Sequence, residues 1–359
     1  MMLVNNPGDW SHVYAQLLHA KWHGWTFTDF IFPFFLFIGG VSMTLSLGRL
    51  AHAGADKRAL FVKLAKRAGI IFLIGFVLNL YPRFDFATVR VMGVLQRIAL
   101  CVICSAPVVI WGGIRAQVLT ILWLFAVYSG LMLFVPVPDA TGVVAAGILE
   151  PGRDVGAYLD RLVLDGHLWA AAKTWDPEGL LSTLPAIGSQ LFGVLAGHWI
   201  ASQRTHLHKA LGMVLGGGVC ILVGIWLGEV FMPVNKSLWT PSYAVLMTGW
   251  ALVIFGGFFF ALDVYPSRVA EITFKPFVIF GMNALFLFAF SAFVVKTMMW
   301  IKFTGADGAV VSLRTLLWQG FAVLPLAPVN ASLLYAVAFT LAMFAVAWFM
   351  WRKRWFVKV

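Results

Sequence analysis

The sequence predicts an all-α polytopic membrane protein, and three observations carry that prediction. Hydrophobic residues make up 61% of the 359, and the mean hydropathy is +0.89. Charged residues make up 11%, where a soluble domain carries about 25%, so the chain needs an apolar solvent. Apolar runs of about 20 residues, the length that crosses a bilayer as a helix, recur from one end to the other.

In order, the runs fall near 26–47, 59–80, 91–112, 116–135, 181–201, 210–231, 242–262, 275–300 and 331–351. The segment 308–325 is apolar but short, and Arg314 and Pro325 interrupt its region; it reads as a re-entrant or interfacial segment. The opening "MMLVNNPGDW" starts like the last turns of an apolar helix and stops at Pro7-Gly8. A truncated first helix is expected there, for about ten transmembrane helices in a single transmembrane domain, 1–359. Glycines four apart near 193–197, 212–216 and 224–228 let helices approach closely and predict tight packing, within one protomer or between two.

The formal charge of +11 is explained by topology rather than by nucleic acid. Lysine and arginine gather in alternate connections: Arg49 to Arg67, then Arg115, Arg204 and Lys209, Arg268 and Lys275, and the tail "WRKRWFVKV". Basic residues mark the cytoplasmic side of membrane proteins, so the C-terminus is expected there. Most acids fall on the other side, from Asp9 and Asp29 through Asp176, Glu178 and Asp307. That side also holds the long extracytoplasmic loop 136–180, whose Asp, Glu, Arg, Trp and His suit a sugar-like ligand or, more plainly, a solvated cap. Three cysteines are too few for a disulfide framework, and the Cys101–Cys104 pair lies in an apolar run where packing is its expected role. No Walker, G-x-G-x-x-G or zinc spacing occurs, so no metal is expected.

Ionisable groups at membrane depth are expensive and default to functional hypotheses. In "HAKWHGWTFTDF", His19 and His23 run into Asp29 at the mouth of the first long span, with Asn5 and Asn6 just upstream. A neutral imidazole is the usual general base near pH 7. A carboxylate can orient it, and an amide can polarise a carbonyl. The competing reading is that each histidine caps a helix or sits at the interface. Gln96 and Arg97 enter a span in "GVLQRIAL"; the arginine either pairs with Asp85 or a carbonyl, or holds an anion. Asp176 and Glu178 in "WDPEG" precede a helix, where acids are also favoured by the dipole. Asn235, Lys236, Trp239, Thr240, Ser242 and Tyr243 crowd the turn "PVNKSLWTPSY", as a binding site or as an aromatic belt. Lys66, Arg67 and the tail could meet phosphates, or simply obey the charge rule.

Six ordered stretches, "VNNPG…HAKWHGWTFTDF", "GVLQRIAL", "WDPEGLLSTLPAI", "PVNKSLWTPSY", "FGMNA" and "WRKRWFVK", resemble the heparan-alpha-glucosaminide N-acetyltransferase family, and in particular its bacterial NagX-like transmembrane acyltransferases. The resemblance covers essentially the whole chain. It implies a helical bundle in the bacterial inner membrane, often dimeric, that moves acetyl from cytoplasmic acetyl-CoA to an amino sugar of glucosamine type on the periplasmic side. By the same resemblance the catalytic histidine is His19, the asparagine is Asn5 and the carboxylate is Asp29. Asp176, Glu178, Lys236, Trp239 and Ser242 are expected around the acceptor. Arg67, Gln96, Arg97, Asn283, Lys353 and Arg354 are expected on the acetyl-CoA path. Family members carry a segment resembling "SLDALRG" ahead of this helix, and its arginine would lie on the donor side. Covalent acetyl-His19 and direct transfer are both compatible with these residues. The rival functions are a sugar or small-anion transporter, which would show inverted repeats and broken helices, and an O-acetyltransferase of envelope glycans. Pro33 and Gly39-Gly40 hint at a broken helix, but no repeat is visible.

Overall fold

The computed structural model describes residues 1–52, 54, 56–304 and 308–357, with the backbone alone described at 48–52. Asp307, Lys358 and the side chain of Arg49, assigned to the two faces above, lie outside the described residues. The chain is helical almost throughout. The long helices are α1 Ile31–His52, α2 Lys57–Leu80, α3 Val94–Trp111, α4 Ile114–Phe134, α6 Thr183–Ala201, α7 His206–Val230, α8 Pro241–Phe259, α9 Arg268–Gly281, α10 Ala284–Trp300 and α12 Pro328–Arg352; α5 Val155–Leu164 and α11 Leu313–Ala322 are short. Two antiparallel ribbons complete it: β1 Val137–Pro138 with β2 Val144–Ala145, and β3 Lys302–Thr304 with β4 Val310–Ser312.

Among the described residues, seven helices are long and apolar enough to cross a membrane, or eight if the bent pair α9–α10 forms one span. Two differences separate this from the sequence expectation. Helix α2 has 24 residues, about 36 Å of rise, but Lys63, Lys66 and Arg67 sit in its more apolar part. The run 275–300 is not one helix: it bends by 66° between Gly281 and Ala284. The cause is Asn283, whose side chain bonds outside the helix, donating to Trp355 O at 3.0 Å and accepting from Val357 N at 2.9 Å. Asn competes with helical hydrogen bonding in this way. Residues Met1–Asn5 make a single turn closed by Asn5 N to Met1 O at 3.0 Å. Segment 308–325 contains α11, whose 10 residues are too short to cross. It packs its Trp318 and Phe321 edge-on against Tyr335 of α12.

The central core joins α1, α3, α4, α6 and α8 through Leu36, Ile98, Leu124, Leu191, Val194, Leu246 and Met247, all buried. Helices α1 and α6 touch backbone to backbone. A Cβ at Gly193 would lie 1.9 Å from Phe37 O, and one at Gly40 would lie 2.1 Å from Gln190 O. Helix α1 runs unbroken through Pro33, Gly39 and Gly40; Gly40 serves this contact, while a Cβ at Gly39 would meet open space.

Candidate active site

The connections at one end of the bundle converge on a polar cluster. Residues 18–30, 81–93, 135–182 and 231–240 all contribute, and hydrogen bonds knit them together. Trp22 Nε1 donates to Leu149 O at 2.7 Å, and Gly24 N to Val234 O at 2.8 Å. The 135–182 loop is a folded cap. Asp154 caps α5 by accepting from Ala157 N at 3.0 Å. Arg161 donates to the carbonyls of Gly152, Thr174 and Pro138.

Asp29 is the anchor. It closes the turn that leads into α1: its Oδ2 accepts from Thr26 N at 3.0 Å and from Ala20 N at 3.1 Å. Tyr243 of α8 donates its hydroxyl to Asp29 O at 2.6 Å. The Asp29 side chain is 0% exposed, and its Oδ1 lies 2.6 Å from Nδ1 of His19, whose side chain is half exposed. A carboxylate on Nδ1 fixes that nitrogen as the protonated one and leaves the Nε2 lone pair free to act. Lys236 Nζ lies 2.9 Å from Nδ1, 3.1 Å from Nε2 and 3.6 Å from Asp29 Oδ1. Nearly equidistant from the two nitrogens, Nζ stands over the face of the ring; with the Nδ1 hydrogen directed at Asp29, Nε2 keeps the free lone pair. Burial pulls the Lys236 amine below its ordinary range, although Asp29 and Glu178 act against that.

A second charged group stands beside the first. Arg90 donates through Nε to Asp176 Oδ2 at 2.8 Å, and through Nη2 to Asp176 Oδ1 and Glu178 Oε2 at 2.5 Å each. Burial alone would lower the Arg90 guanidinium, but these carboxylates raise it above its usual range. Burial would likewise raise Glu178; Arg90, Arg97 and Lys236 outweigh it and hold the carboxyl low. Arg97 is fully buried. It donates through Nη2 to Gly179 O at 3.0 Å and to Ser182 Oγ, and its guanidinium lies 5.3 Å from the Trp239 ring centre. It therefore takes a backbone carbonyl, while Asp85 pairs locally with Thr88 and Ala87. Asp160 accepts from Leu180 N at 2.9 Å, and burial pushes its carboxyl up to about 7.

The predicted residues separate into three groups. His19, Asp29 and Lys236 come together, and Asp176 and Glu178 join one ion-pair network. Trp239 and Ser242 lie inside the loop rather than on its surface. Trp239 is buried and donates Nε1 to Ser189 Oγ at 3.0 Å; Ser242 donates to Met232 O at 2.7 Å. Asn5 is exposed, and among the described residues no hydrogen bond joins it to His19. His23 reaches Asn235 Nδ2 at 3.3 Å, and burial lowers its imidazole. Lys353 and Arg354 are exposed at the opposite end of the bundle, Arg67 is exposed midway along α2, and Asn283 holds the tail as described.

Gln96 Nε2, Arg97 Nε and Arg97 Nη1 are buried without a hydrogen-bond partner, as are Ser105 Oγ, Ser129 Oγ, His198 Nε2 and Trp250 Nε1 elsewhere in the bundle. Orphaned buried donors are costly and call for a ligand or water. The residues missed by the sequence reading are Arg90 and Asp160. Arg90 carried a signal, since it is an arginine on the acid-rich side, against the charge rule. Among the described residues no group of three or more His, Cys, Asp or Glu could hold a metal ion.

Comparison with known proteins gives two findings. The family model described as "Heparan-alpha-glucosaminide N-acetyltransferase, catalytic" matches residues 8–161. The heparan-alpha-glucosaminide N-acetyltransferases of Mus musculus and Homo sapiens are each 29% identical over 346 residues, covering 80% of this chain and 50% of the relative. The chain thus spans about half the length of the curated relatives it matches.

Proposed function

We propose, from the likeness of residues 8–161 to the heparan-alpha-glucosaminide N-acetyltransferase family and of the chain to two of its members at 29% identity, that the chain is a transmembrane acetyltransferase of that family, transferring acetyl from acetyl-CoA to the amine of a glucosamine-type sugar. The single observation that carries this reading is the His19–Asp29 pair: a half-exposed imidazole 2.6 Å from a fully buried carboxylate. In this reading the donor is cytoplasmic, the acceptor is on the periplasmic side of a bacterial inner membrane, and the C-terminus is cytoplasmic. One transmembrane domain does the work, with 136–180 as its cap, and a homodimer is the proposed assembly.

The chemistry follows from the atoms. The sugar nitrogen attacks the thioester carbon while His19 Nε2 removes its proton. Asp29 stabilises the imidazolium that forms. The C–N bond is made, the C–S bond breaks, and the departing CoA thiolate recovers the proton from His19. General-base help of this kind is worth about 100- to 10,000-fold in rate. Asn5 is proposed to hold the acceptor or the developing oxyanion. Asp176, Glu178, Lys236, Trp239 and Ser242 shape the acceptor pocket, the last two from beneath.

On the donor path, the unmet donors of Gln96 and Arg97 fit the carbonyl and phosphate oxygens of a CoA thioester. Lys353 and Arg354, exposed at the far end, and Arg67, exposed midway along α2, fit its phosphates, and Asn283 acts by fixing the tail. The reaction logic is that acetyl crosses the boundary within the protein while the highly charged CoA stays behind.

The test uses purified protein in liposomes with labelled acetyl-CoA and glucosamine on opposite sides. Acetylated sugar from the wild type and none from His19→Ala supports the reading. Sugar uptake without acetylation makes the chain a transporter, and acetyl on a hydroxyl rather than the amine makes it an O-acetyltransferase.

A further inference from the structure

A general base must lie within about 2.6–3.2 Å of the group whose proton it takes. Among the described residues one amine already meets that condition. Lys236 Nζ lies 2.9 and 3.1 Å from the two ring nitrogens of His19. It also sits 3.6 Å from the Asp29 carboxylate that would welcome an acceptor's ammonium. We propose that Lys236 is a self-acetylation site: in the absence of sugar, its amine takes the acceptor's place and receives the acetyl group of the CoA thioester.

The geometry is held, not incidental. Lys236 sits in a turn closed by Trp239 N to Lys236 O at 3.0 Å. The neighbouring Asn235 is 0% exposed and accepts from Leu238 N at 2.9 Å while its own N–H donates to Thr240 at 3.1 Å. The lysine side chain is 20% exposed, so it is not sealed from solvent. Burial also favours the uncharged, nucleophilic form of this amine, as it does for lysines that act as nucleophiles elsewhere. By contrast Lys57 and Lys173 are exposed at the surface, and no hydrogen bond ties either to an imidazole.

The step balances without another reactant. His19 Nε2 removes one proton from the Lys236 ammonium, and the free amine attacks the thioester carbonyl. The Nζ–C bond forms, the C–S bond breaks and an amine proton is shed, so Nε-acetyl-Lys236, free CoA thiol and one proton to solvent remain. An amide is far less reactive than a thioester, so the acetyl group stays. The modified side chain has lost its charge beside Asp29 and fills the place where a sugar amine would bind. An enzyme left with donor and no acceptor would therefore switch itself off.

This inference rests on the proposed acetyltransferase reading, and the experiment separates the two. Detergent-purified full chain is incubated with isotope-labelled acetyl-CoA, with and without glucosamine. Peptide mass spectrometry reads each lysine, and acetylated sugar is measured in parallel. Without sugar, Lys236 is expected to label at least about tenfold faster than Lys57 or Lys173, the advantage of a positioned amine over a free one. Glucosamine should suppress that label, and His19→Gln should slow it about 100-fold. Acetylated sugar with an unlabelled Lys236 overturns the proposal and leaves the acetyltransferase reading standing. Equal labelling of all three lysines, or undiminished labelling in His19→Gln, marks solution chemistry and also overturns it. Neither sugar nor Lys236 labelled defeats both.

Discussion

The two ends of the bundle treat charge in opposite ways. At the end that holds His19, cations are matched to anions: Arg90 to Asp176 and Glu178, Arg153 to Asp139 and Glu150, Lys236 to Asp29. Every ion pair seen among the described residues lies there. At the other end, cations rest on aromatic faces instead: Arg204 on Trp199 at 4.5 Å, Lys275 on Trp351 at 5.1 Å and Arg352 on Trp348 at 5.3 Å. Cation–π contacts at exposed sites are worth only about 0.5–1 kcal/mol, so these side chains are easily recruited by a stronger anion. The paired charges stand at the end proposed above for the reaction, and the unpaired ones at the end proposed to dock phosphates.

Substitutions can break or sharpen that contrast. The largest effect is expected from His19→Ala, which should lower kcat for sugar acetylation by about 1000-fold with little change in thermal stability. Asp29→Asn comes next. It keeps the shape but offers no anion to the imidazolium, and kcat should fall about 100-fold. Arg90→Gln should act on the fold before the chemistry. Leaving two carboxylates unpaired in a mostly buried place costs about 3 kcal/mol, visible as a lowered Tm and an earlier loss of activity on heating. At the opposite end, the double change Lys353→Ala with Arg354→Ala should raise the KM for acetyl-CoA a few-fold and leave Tm alone. An unchanged donor KM would remove the docking role from that end.

A further effect is one of pH. Asp160 has a folded pKa near 7 against an ordinary 3.8, so the folded state holds its proton more tightly than the unfolded state does. Its contribution is fully present below about pH 4 and is lost as pH rises through 7, up to about 4 kcal/mol across that window. Asp176 and Asp154 add to the rise at this carboxyl, while Arg97 opposes it. Thermal melts from pH 4 to 8 should therefore decline in the wild type and flatten in Asp160→Asn.

Much of this was legible in the sequence, for identifiable reasons. Apolar runs of membrane length betray the spans, because lipid forces every backbone polar group into a helix. The site motif is readable because His19 and Asp29 are only ten residues apart, joined by a local turn. Lys236 is more than two hundred residues from His19; the crowd of polar and aromatic residues in its turn marked the loop, but nothing in the spacing joined it to the histidine. Arg90 escaped because its partners lie in a distant loop and its own neighbourhood, "TVRVMG", is bland. The break at Asn283 escaped as well: a single polar residue in an apolar run looks tolerable until the tail arrives to claim its amide. Trp239 and Ser242 show the limit of residue type as a guide. Both look suited to gripping a ligand, yet Ser242 bonds Met232 O within its own loop and Trp239 ties that loop to Ser189 of α6.

The glycine seam between α1 and α6 has a mechanical corollary. With Gly193 seated against Phe37 O, no side chain remains between the two backbones to compress or rotate. Asp29 enters α1 and Glu178 lies just ahead of α6, so the two halves of the polar cluster ride on one stiff chassis. Motion that admits or releases a sugar then falls to the parts that rest on it, the 135–182 cap and the 231–240 turn. They can swing like doors on a frame that does not flex.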